Sequence, residues 1–335
     1  MRTIVTGASG FVGSNITKVL EDRHGDTVIA ERVDMTDGAA VRAHVEESRP
    51  DAIVHCAILN DWARMHADRE LAWASYVEST RSYADAAAEH GIPFCLVSTD
   101  WVFDGTQRGA TESTPPNPVN LYGFLKAASE IVALDRGGTV ARVSGVNGTH
   151  WARPTTPRAQ DPGFGYLVAS IVDALERGEP FTVWEGDELN TVASPSLAAM
   201  CGEVIRAILA QRADGIFHCC GSDAVSRHEL AEATVAAFEL DRSLLRFGPA
   251  PREAFAGQRI PHDTSLSATH TAERLGVPLL SIDEILHAFR VERTTGELAP
   301  LPSSLPSGPG GRASKRAETA STVGVGEQLG CDPEP

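Results

Sequence analysis

The sequence lacks a long apolar segment. After Arg2, only Ile4 and Val5 precede Thr6 and Gly7, so the N-terminus has no hydrophobic stretch typical of a signal peptide. No later segment reaches about 18 uncharged apolar residues in a row, the length that a membrane-spanning helix needs. We therefore expect a cytoplasmic protein that is neither secreted nor inserted in a membrane.

Cysteine is scarce and shows no ligand pattern. The chain has six cysteines in 335 residues, and none forms a CxxC pair or a Cys/His cluster with metal-ligand spacing. Cys56 and Cys95 lie inside apolar runs. This usage predicts reduced thiols and no metal site.

Positive charge is in deficit. The 29 Lys and Arg residues are outnumbered by 45 Asp and Glu residues, which gives a formal net charge of −16. Such a charge repels phosphate backbones and anionic lipid at long range. We therefore expect neither nucleic acid nor a membrane surface as partner, although a local pocket can still hold a small anionic ligand.

Hydrophobic residues make up 42% of the chain, and they fall in short β-rich runs that alternate with longer helical patterns. Strands rich in Val and Ile, separated by helices, predict parallel βαβ units with both faces of the sheet covered. The predicted fold class is therefore α/β, with a doubly wound parallel sheet. The predicted strands are Thr3 to Thr6, Thr27 to Glu31, Ala52 to Ala57, Phe94 to Ser98 and Thr139 to Ser144, and the predicted helices are 11–23, 38–48, 66–90 and 121–135.

The pattern becomes less regular after about residue 150, where several prolines mark a loop. The irregular stretch predicts a second, smaller domain over residues 151–293, with some of its segments returning to the first. A Pro/Gly/Ser-rich run without apolar periodicity closes the chain, so residues 294–335 are predicted to be a disordered tail. Further helices are predicted near 165–177, 196–211 and 226–238, and isolated strands near 181–184 and 215–219.

A glycine-rich turn, residues 6–13, joins the first strand to the first helix. Gly7 and Gly10 let the backbone turn tightly and approach a pyrophosphate, while Gly13 permits close helix packing. The helix N-terminus adds free N–H groups and positive potential. The turn predicts a dinucleotide site, although glycines at a strand-helix turn can also be purely structural. Its expected cofactor contacts are Gly7, Ser9, Gly10, Phe11, Val12, Gly13 and Ala57.

The end of the second predicted strand carries conflicting cofactor signals. Glu31 there, with Asp34 shortly after, would bond the adenosine ribose hydroxyls and favour NADH, whereas Arg32 would accept the 2′-phosphate of NADPH. NADPH is favoured, and use of NADH is left open. As an alternative, Glu31 and Arg32 are only solvated, and Thr36 or Asp37 caps the next helix.

Tyr122 and Lys126 stand four residues apart in a predicted helix. Positions i and i+4 share a helix face, so the phenol and the ammonium group can point into one pocket. A cation within a few ångströms can lower a tyrosine pKa by about 1–3 units, which would bring proton transfer nearer to neutral pH. Pairs at this spacing also occur by chance on helix surfaces.

The stretch VSTDWVFDG, residues 97–105, follows a buried strand with polar side chains. In a doubly wound sheet, ligands lie outside the carboxyl ends of the strands, so Ser98, Thr99 and Asp100 are predicted to reach the ligand crevice. Thr99 can bond a substrate carbonyl beside the phenol, and Trp101 can wall the substrate. Alternatively, the hydroxyls satisfy loop backbone while Trp101 and Phe103 pack in the core.

The glycine-rich turn, the VSTDWVFDG stretch and the run Asn117-Pro118…Tyr122-Gly123-x-x-Lys126…Glu130 together resemble the extended short-chain dehydrogenase/reductases. The closest likeness is to the dTDP-4-dehydrorhamnose reductases, over roughly residues 1–290. The resemblance implies a Rossmann domain over residues 1–150 and an interleaved C-terminal domain that holds a nucleotide-sugar.

In that family, a Thr-Tyr-Lys set reduces the 4-keto group of a nucleotide-activated deoxysugar, with the tyrosine as proton donor. The matching residues are Thr99, Tyr122 and Lys126, and the tyrosine and lysine also contact the cofactor. Asp100 and Trp101 are implied to line the substrate, and Arg259 to meet its diphosphate. The related dehydratases carry Asp-Glu after the threonine, so Trp101 in the second place argues against dehydration.

The resemblance leaves other substrates and another class of function open. Leu59 to Ala63 and Ser144-Gly145 depart from the reductase pattern, so another deoxysugar or a non-sugar carbonyl, reduced or epimerised, is an alternative. A further hypothesis is a non-catalytic regulatory subunit similar to the β-subunit of methionine adenosyltransferase, which the intact Thr99, Tyr122 and Lys126 disfavour. Oligomeric state is open, a homodimer included.

Overall fold

The computed structural model describes residues 1–156, 159–255 and 257–302. Its centre is a parallel sheet of six strands in the spatial order β10-β5-β4-β3-β1-β2, as predicted for a doubly wound α/β fold. Among the described residues, no helix is long and apolar enough to cross a membrane. The strands are β1 Arg2–Thr6, β2 Thr27–Ile29, β3 Ala52–His55, β4 Phe94–Thr99, β5 Thr139–Val143 and β10 Gly215–Cys219.

Both faces of the sheet are buried, because successive side chains of each strand point to opposite sides. Val5 and Val54 pack on one face with helices α1 Phe11–Asp22 and α8 Ala198–Gln211. Ile4 and Ile53 pack on the other face with α2 Gly38–Ser48 and α5 Ser79–His90. Alternate residues of each continuous apolar run therefore contribute to the two hydrophobic layers.

The C-terminal half is interleaved with the sheet. Strand β10 pairs with β5, and α8 packs against α1, so both elements extend the first half of the chain. The remaining elements form three small strand pairs and the helices around them. They are β6 Val146–Asn147, α7 Leu167–Glu176, β7 Phe181–Glu185, β8 Val192–Ala193, β9 Ser196–Leu197, β11 Val225–Ser226, α9 Arg227–Ala237, β12 Leu245–Pro249, α10 Thr269–Leu275 and α11 Ile282–Thr295.

Two predicted elements differ from the structure. The single helix predicted over 66–90 is divided into α3 Trp62–Ala67, α4 Arg69–Trp73, one π-helical turn over Ala74–Glu78, and α5. The first break lies at Asp68, because its carboxylate accepts a hydrogen bond from Leu71 N–H and thereby caps the start of a new helix, α4. Strand β2 ends at Ile29, so Glu31 and Arg32 lie in the following loop. By contrast, the helix predicted over 121–135 is confirmed at both ends as α6 Leu121–Asp135.

Most of the tail predicted over 294–335 lies outside the described residues. Three of its first nine residues, Leu298, Ala299 and Leu301, are packed against the core. Helix α11 continues to Thr295, Ala299 is buried, and Leu301 packs against the main core. The Ala299 carbonyl also accepts a hydrogen bond from the Arg23 guanidinium. The chain is therefore docked at least to Pro302.

We expect truncation after Gly296 to destabilise the protein, because it removes the Ala299 carbonyl from Arg23 and uncovers core beneath Leu301. A lost bond to a charged donor is worth about 1.5–3 kcal/mol, which corresponds to a melting temperature lowered by about 2–5 °C. Truncation after Pro302 is the matched control and should leave the melting temperature unchanged in a thermal denaturation scan. Equal melting temperatures for the two truncations would contradict the docking.

Candidate active site

The glycine-rich turn is packed so tightly that side chains are excluded. Gly7 has a φ of +68°, and a Cβ there would lie 2.9 Å from the Ala57 backbone, which follows β3. A Cβ on Gly13 would overlap the Gly7 carbonyl oxygen. Gly10 N–H closes the turn by donating to that carbonyl at 2.8 Å. The predicted contacts at Gly7, Gly10, Gly13 and Ala57 are thereby brought to one place.

The N-terminus of α1 is left without a side-chain cap. Its N-cap residue is Gly10, and no side chain accepts a hydrogen bond from the first turn. The first N–H groups of a helix have no partner within it, so those of Phe11, Val12 and Gly13 are available to an anion, with the helix dipole in support. Ser9 precedes them and is exposed. This uncapped end, behind glycines that admit no side chain, fits a pyrophosphate.

The two residues with conflicting cofactor signals are both exposed. Glu31 has 77% of its side chain exposed, and its carboxylate lies 3.7 Å from His44 Nδ1. Arg32 has no ion-pair partner within residues 1–156, 159–255 and 257–302. The Arg32 guanidinium is therefore available for a ligand phosphate, and the weakly held Glu31 carboxylate is available for a ribose hydroxyl.

Asp34 and Asp37 are engaged in local structure. The Asp34 carboxylate accepts hydrogen bonds from the backbone N–H and the hydroxyl of Thr36, at 3.0 and 2.7 Å, and these bonds lower the pKa of Asp34. Asp37 caps α2 by accepting from the N–H groups of Ala39 and Ala40, which confirms the capping alternative. The predicted bond from Asp34 to a ribose stays a prediction, and it competes with the Thr36 bonds.

Helix α6 starts very close to the end of β4. Asn120 caps it by accepting from Gly123 N–H at 2.9 Å. A Cβ on Gly123 would overlap the Trp101 carbonyl oxygen, so only glycine allows this approach. The close approach brings Tyr122, the neighbour of Gly123, to the carboxyl end of β4 where Thr99 lies.

The Tyr122 ring lies among three other aromatic side chains. Its centroid is 6.1 Å from those of Trp62, Tyr76 and Trp101, and the last two meet it edge-on. The Thr99 side chain lies near enough to the phenol to oppose the rise in its pKa. The arrangement forms an aromatic pocket, Trp62, Tyr76, Trp101 and Tyr122, with Thr99 as its hydroxyl group.

The expected lowering of the Tyr122 pKa is wrong. Burial raises the pKa of Tyr122 to about 12, against the opposing effect of Thr99, and the carboxylates of Asp100 and Asp161 raise it further. The ammonium of Lys126 donates to the Val97 carbonyl at 2.8 Å. Its charge is thus held at the strand, while the phenol lies in a desolvated pocket. The phenol is therefore protonated at neutral pH.

Lys126 is buried at the base of this pocket. Its Nζ lies 5.6 Å from the Tyr76 ring centroid, a cation–π distance. Burial lowers the pKa of Lys126 to about 8, although Cys56 and Glu130 oppose the shift. Lys126 and Tyr122 share one face of α6, as the spacing predicts, and the lysine stays mostly protonated at neutral pH.

Asp100 is a buried junction between the two halves of the chain. Its Oδ1 accepts from the Thr99 hydroxyl at 3.0 Å, and its Oδ2 accepts from the hydroxyls of Ser144 and Thr264 at 2.8 and 2.6 Å. Burial raises the pKa of Asp100 despite these bonds. With both oxygens engaged inside the protein, Asp100 positions Thr99, and its predicted contact with substrate stays a prediction.

The two aromatic residues of VSTDWVFDG have different surroundings. Trp101 is half-buried and meets Trp62 and Tyr122 edge-on, so it lines the pocket. Phe103 is buried in a core cluster, with the Arg142 guanidinium 5.0 Å from its ring centroid. The packing alternative therefore holds for Phe103 and not for Trp101.

The Arg259 backbone lies beside the start of α6. Its carbonyl accepts from Asn120 Nδ2 at 2.9 Å, two residues before Tyr122. The residue is exposed, and no ion pair holds its guanidinium in the described part of the chain. The predicted contact of Arg259 with a diphosphate stays a prediction.

Three pocket residues were missed by the sequence analysis. Trp62 lies in the Leu59 to Ala63 run, which was noted only as a departure from the reductase pattern. Tyr76 is positioned by the unpredicted π-helical turn, and Asp161 lies in a loop between β6 and α7. No local pattern marked these residues, since each reaches the pocket from a separate element. Within the described ranges, no cluster of His, Cys, Asp or Glu could hold a metal ion.

Comparison with known proteins places the chain in a family. Residues 1–292 match the family model described as "RmlD substrate binding domain". A dTDP-4-dehydrorhamnose reductase of Streptomyces griseus is 30% identical over 255 residues, 73% of this chain and 79% of the relative. Methionine adenosyltransferase 2 subunit beta of Bos taurus is 27% identical over 311 residues, 87% of this chain and 89% of the relative.

The fold is also found among solved structures. The dTDP-4-dehydrorhamnose reductase of Bacillus anthracis, crystallised in complex with NADP, superposes with a TM-score of 0.71 at 22% identity. The superposition covers 87% of this chain and 99% of that chain. At this identity the likeness establishes the common fold and leaves the chemistry to the residues themselves.

We expect Arg32→Ala to weaken NADPH much more than NADH, because an unpaired guanidinium at this position suits the 2′-phosphate. A charge-assisted contact worth about 1.5–3 kcal/mol predicts a rise in Kd for NADPH of about 10- to 150-fold, measured by fluorescence titration of each cofactor. Arg42→Ala, at an exposed arginine paired with Glu89, is the matched control. Equal weakening of both cofactors by Arg32→Ala would refute the assignment.

Proposed function

The chain belongs to the RmlD substrate binding domain family, and from this membership we propose that it reduces the 4-keto group of a nucleotide-activated deoxysugar with NADPH as cofactor. The observation that carries the proposal is the convergence of Thr99, Tyr122 and Lys126 in the aromatic pocket at the carboxyl end of β4. The Streptomyces griseus relative, a dTDP-4-dehydrorhamnose reductase by name, supports a dTDP-hexose as substrate.

The cofactor would be held by the glycine-rich turn and its surroundings. The pyrophosphate would lie on the N-terminus of α1, against Gly7, Gly10 and Gly13, whose packing excludes side chains. Arg32 would hold the 2′-phosphate. A bound nicotinamide would supply the hydride. Lys126 would bond the nicotinamide ribose, as the family resemblance implies, after giving up its bond to the Val97 carbonyl.

Tyr122 would act as the proton donor. Its raised pKa keeps the phenol protonated at neutral pH, which is the form needed to protonate the alkoxide left by hydride addition. Thr99 would donate its hydroxyl hydrogen to the same substrate oxygen, after giving up its bond to the Asp100 carboxylate, and orient that oxygen toward the phenol. The nearby Lys126 ammonium would then stabilise the phenolate produced by the transfer. Carbonyl reduction needs these three groups and the cofactor.

Dehydration is disfavoured by the carboxylates present. The residue after Asp100 is Trp101, which offers no acid, and Asp100 is itself held by three hydroxyl donors. A carboxyl group engaged in this way is a poor general acid, since both of its oxygens already accept hydrogen bonds from protein hydroxyls. The site therefore fits addition of hydride to a ketone better than elimination of water.

The regulatory-subunit hypothesis has the support of the Bos taurus relative, at 27% identity. A binding subunit needs the cofactor turn but has no need of a phenol beside Thr99 and a buried Lys126. We therefore rank it second. The cytoplasmic location and a homodimer stay predictions.

Tyr122→Phe tests the mechanism. The change keeps the ring in the aromatic pocket but removes the proton donor, so kcat with a dTDP-4-keto-6-deoxyhexose should fall by about 10²–10⁴-fold. NADPH consumption measured at 340 nm gives the rate. Dissociation of NADPH should change little, because the glycine-rich turn is untouched. Tyr83→Phe is the matched control, since Tyr83 is buried in the core layer of α2 and α5, outside the aromatic pocket, and should leave kcat unchanged.

Two outcomes would count against the proposal. A Tyr122→Phe protein with near-normal turnover would remove the phenol from the mechanism. A wild-type protein that consumes no NADPH with any dTDP-4-keto-6-deoxyhexose, but that binds one protein partner in stoichiometric amount, would favour the regulatory subunit instead.

A further inference from the structure

Asp161 is a carboxylate at the aromatic pocket that the proposed reduction does not use. A Cβ built on Gly163 would lie 2.9 Å from Trp101 Cζ2 and 3.2 Å from Asp161 Oδ1, so the carboxylate lies beside the indole. Its charge also raises the pKa of Tyr122, which puts it within electrostatic range of the phenol. Asp161 thus borders the space where the substrate ketone would lie.

The loop that carries Asp161 is held from behind by Arg227. This side chain is buried and donates to the Gly163 carbonyl, to Gln160 Oε1 at 3.0 Å and to the Asp161 carbonyl at 3.4 Å. Arg227 opens α9, whose capping box with Ser226 fixes the start of that helix. The guanidinium therefore donates its hydrogen bonds to other oxygens of the loop rather than to the Asp161 carboxylate.

Further bonds hold the ends of the loop. Gln160 Nε2 donates to the Thr182 carbonyl at 2.6 Å, and Asn190 N–H donates to the Pro162 carbonyl at 3.0 Å. Both contacts are to main-chain oxygens, so they fix the backbone path. A loop held from three sides keeps the Asp161 side chain in a defined position next to Trp101.

Two glycines make room for the carboxylate. Gly165 donates its N–H to Asp161 Oδ1 at 3.1 Å, and a Cβ at position 165 would overlap Asp161 Oδ2. At position 163, a Cβ would press on the Trp101 ring. Any larger residue at either place would displace the carboxylate or the indole. The loop is therefore shaped around these two side chains.

The Asp161 carboxylate has no ion pair among the described residues. Burial raises the pKa of Asp161 to about 6, against the opposing effects of Arg227 and of the Gly165 and Gly163 N–H groups. At pH 7 and above it is mostly ionised, and an ionised carboxylate only accepts hydrogen bonds. A desolvated carboxylate without a direct ion pair is costly to maintain, and a hydroxyl donor from a ligand would offset that cost.

We propose that Asp161 is a specificity-determining residue that accepts a hydrogen bond from a hydroxyl group of the substrate hexose, while Trp101 packs against the sugar ring. The proposal rests on the proposed function, since it names the part of the ligand that this side of the pocket reads. A site built to accept from a hydroxyl discriminates strongly against an analogue that lacks it, because the acceptor is then left unpaired.

The experiment compares wild-type protein with Asp161→Asn. The asparagine oxygen can still accept from Gly165 N–H, whereas the amide NH₂ replaces the second acceptor oxygen. The ligands are dTDP-glucose and dTDP alone, titrated by calorimetry into the NADPH-loaded full chain. Asp187→Asn, at an exposed carboxylate remote from Trp101 in sequence, is the matched control. Melting temperatures of the three proteins establish that each is folded.

Asp161→Asn should weaken dTDP-glucose by about 10- to 100-fold, the effect of a lost bond to a charged acceptor, and should change the Kd of dTDP by less than about twofold. Asp187→Asn should change neither. Equal weakening of both ligands by Asp161→Asn, or none, would overturn the proposal. So would a wild-type protein that binds dTDP-glucose no more tightly than dTDP.

The same proteins separate this proposal from the reductase function. Selective loss of dTDP-glucose binding in Asp161→Asn, in a protein whose wild type reduces no dTDP-4-keto-6-deoxyhexose, would keep the hexose contact and reject the reductase. Normal wild-type turnover with unselective binding loss would do the reverse. A reductase with the contact intact should lose kcat/KM on Asp161→Asn chiefly through a higher KM, because the phenol and Thr99 are unchanged.

Discussion

The candidate site depends on how closely α6 approaches the end of β4. At Gly123 the helix lies against the Trp101 carbonyl oxygen, at a separation that no Cβ would permit. This contact sets the height of the first helical turn above the strand, and with it the placement of Tyr122 beside Thr99. One turn later, Lys126 reaches the Val97 carbonyl of the same strand. The positions of Thr99, Tyr122 and Lys126 relative to one another thus depend on the absence of a side chain at Gly123.

The far half of α6 is held to the sheet by a buried ion pair. Glu130 accepts from Arg142 of β5 at 2.7 and 2.9 Å and from the Ser98 hydroxyl at 2.5 Å. Replacing such a pair with apolar groups can be neutral, but removing one partner leaves an uncompensated buried charge. Here the two parallel bonds from Arg142 fix α6 to β5, and the bond from Ser98 fixes it to β4. The helix is therefore held at its first turn by the close approach at Gly123 and in its second half by Glu130.

Local signals in the sequence were sufficient for the elements that near neighbours determine. The glycine-rich turn and the bounds of α6 were predictable because caps, spacing and apolar period all lie within one segment. The prediction of one helix over 66–90 was wrong at Asp68, because the carboxylate of this residue caps the next helix. Trp62 and Asp161 were missed because their roles come from packing against Trp101, which is distant from both in sequence. Contacts of this kind leave no periodic pattern.

The pKa of Tyr122 shows the same limit in its electrostatics. The i, i+4 spacing correctly put Lys126 on the face of the phenol, and from that alone a lowered pKa was expected. Spacing carries no information about solvent, and in the structure burial dominates and raises the pKa to about 12. The ammonium meanwhile is bonded to the Val97 carbonyl. A phenol that holds its proton and a lysine that has lost part of its preference for one suit proton donation more than proton abstraction. The protonated phenol is the form that the proposed reduction of a ketone requires.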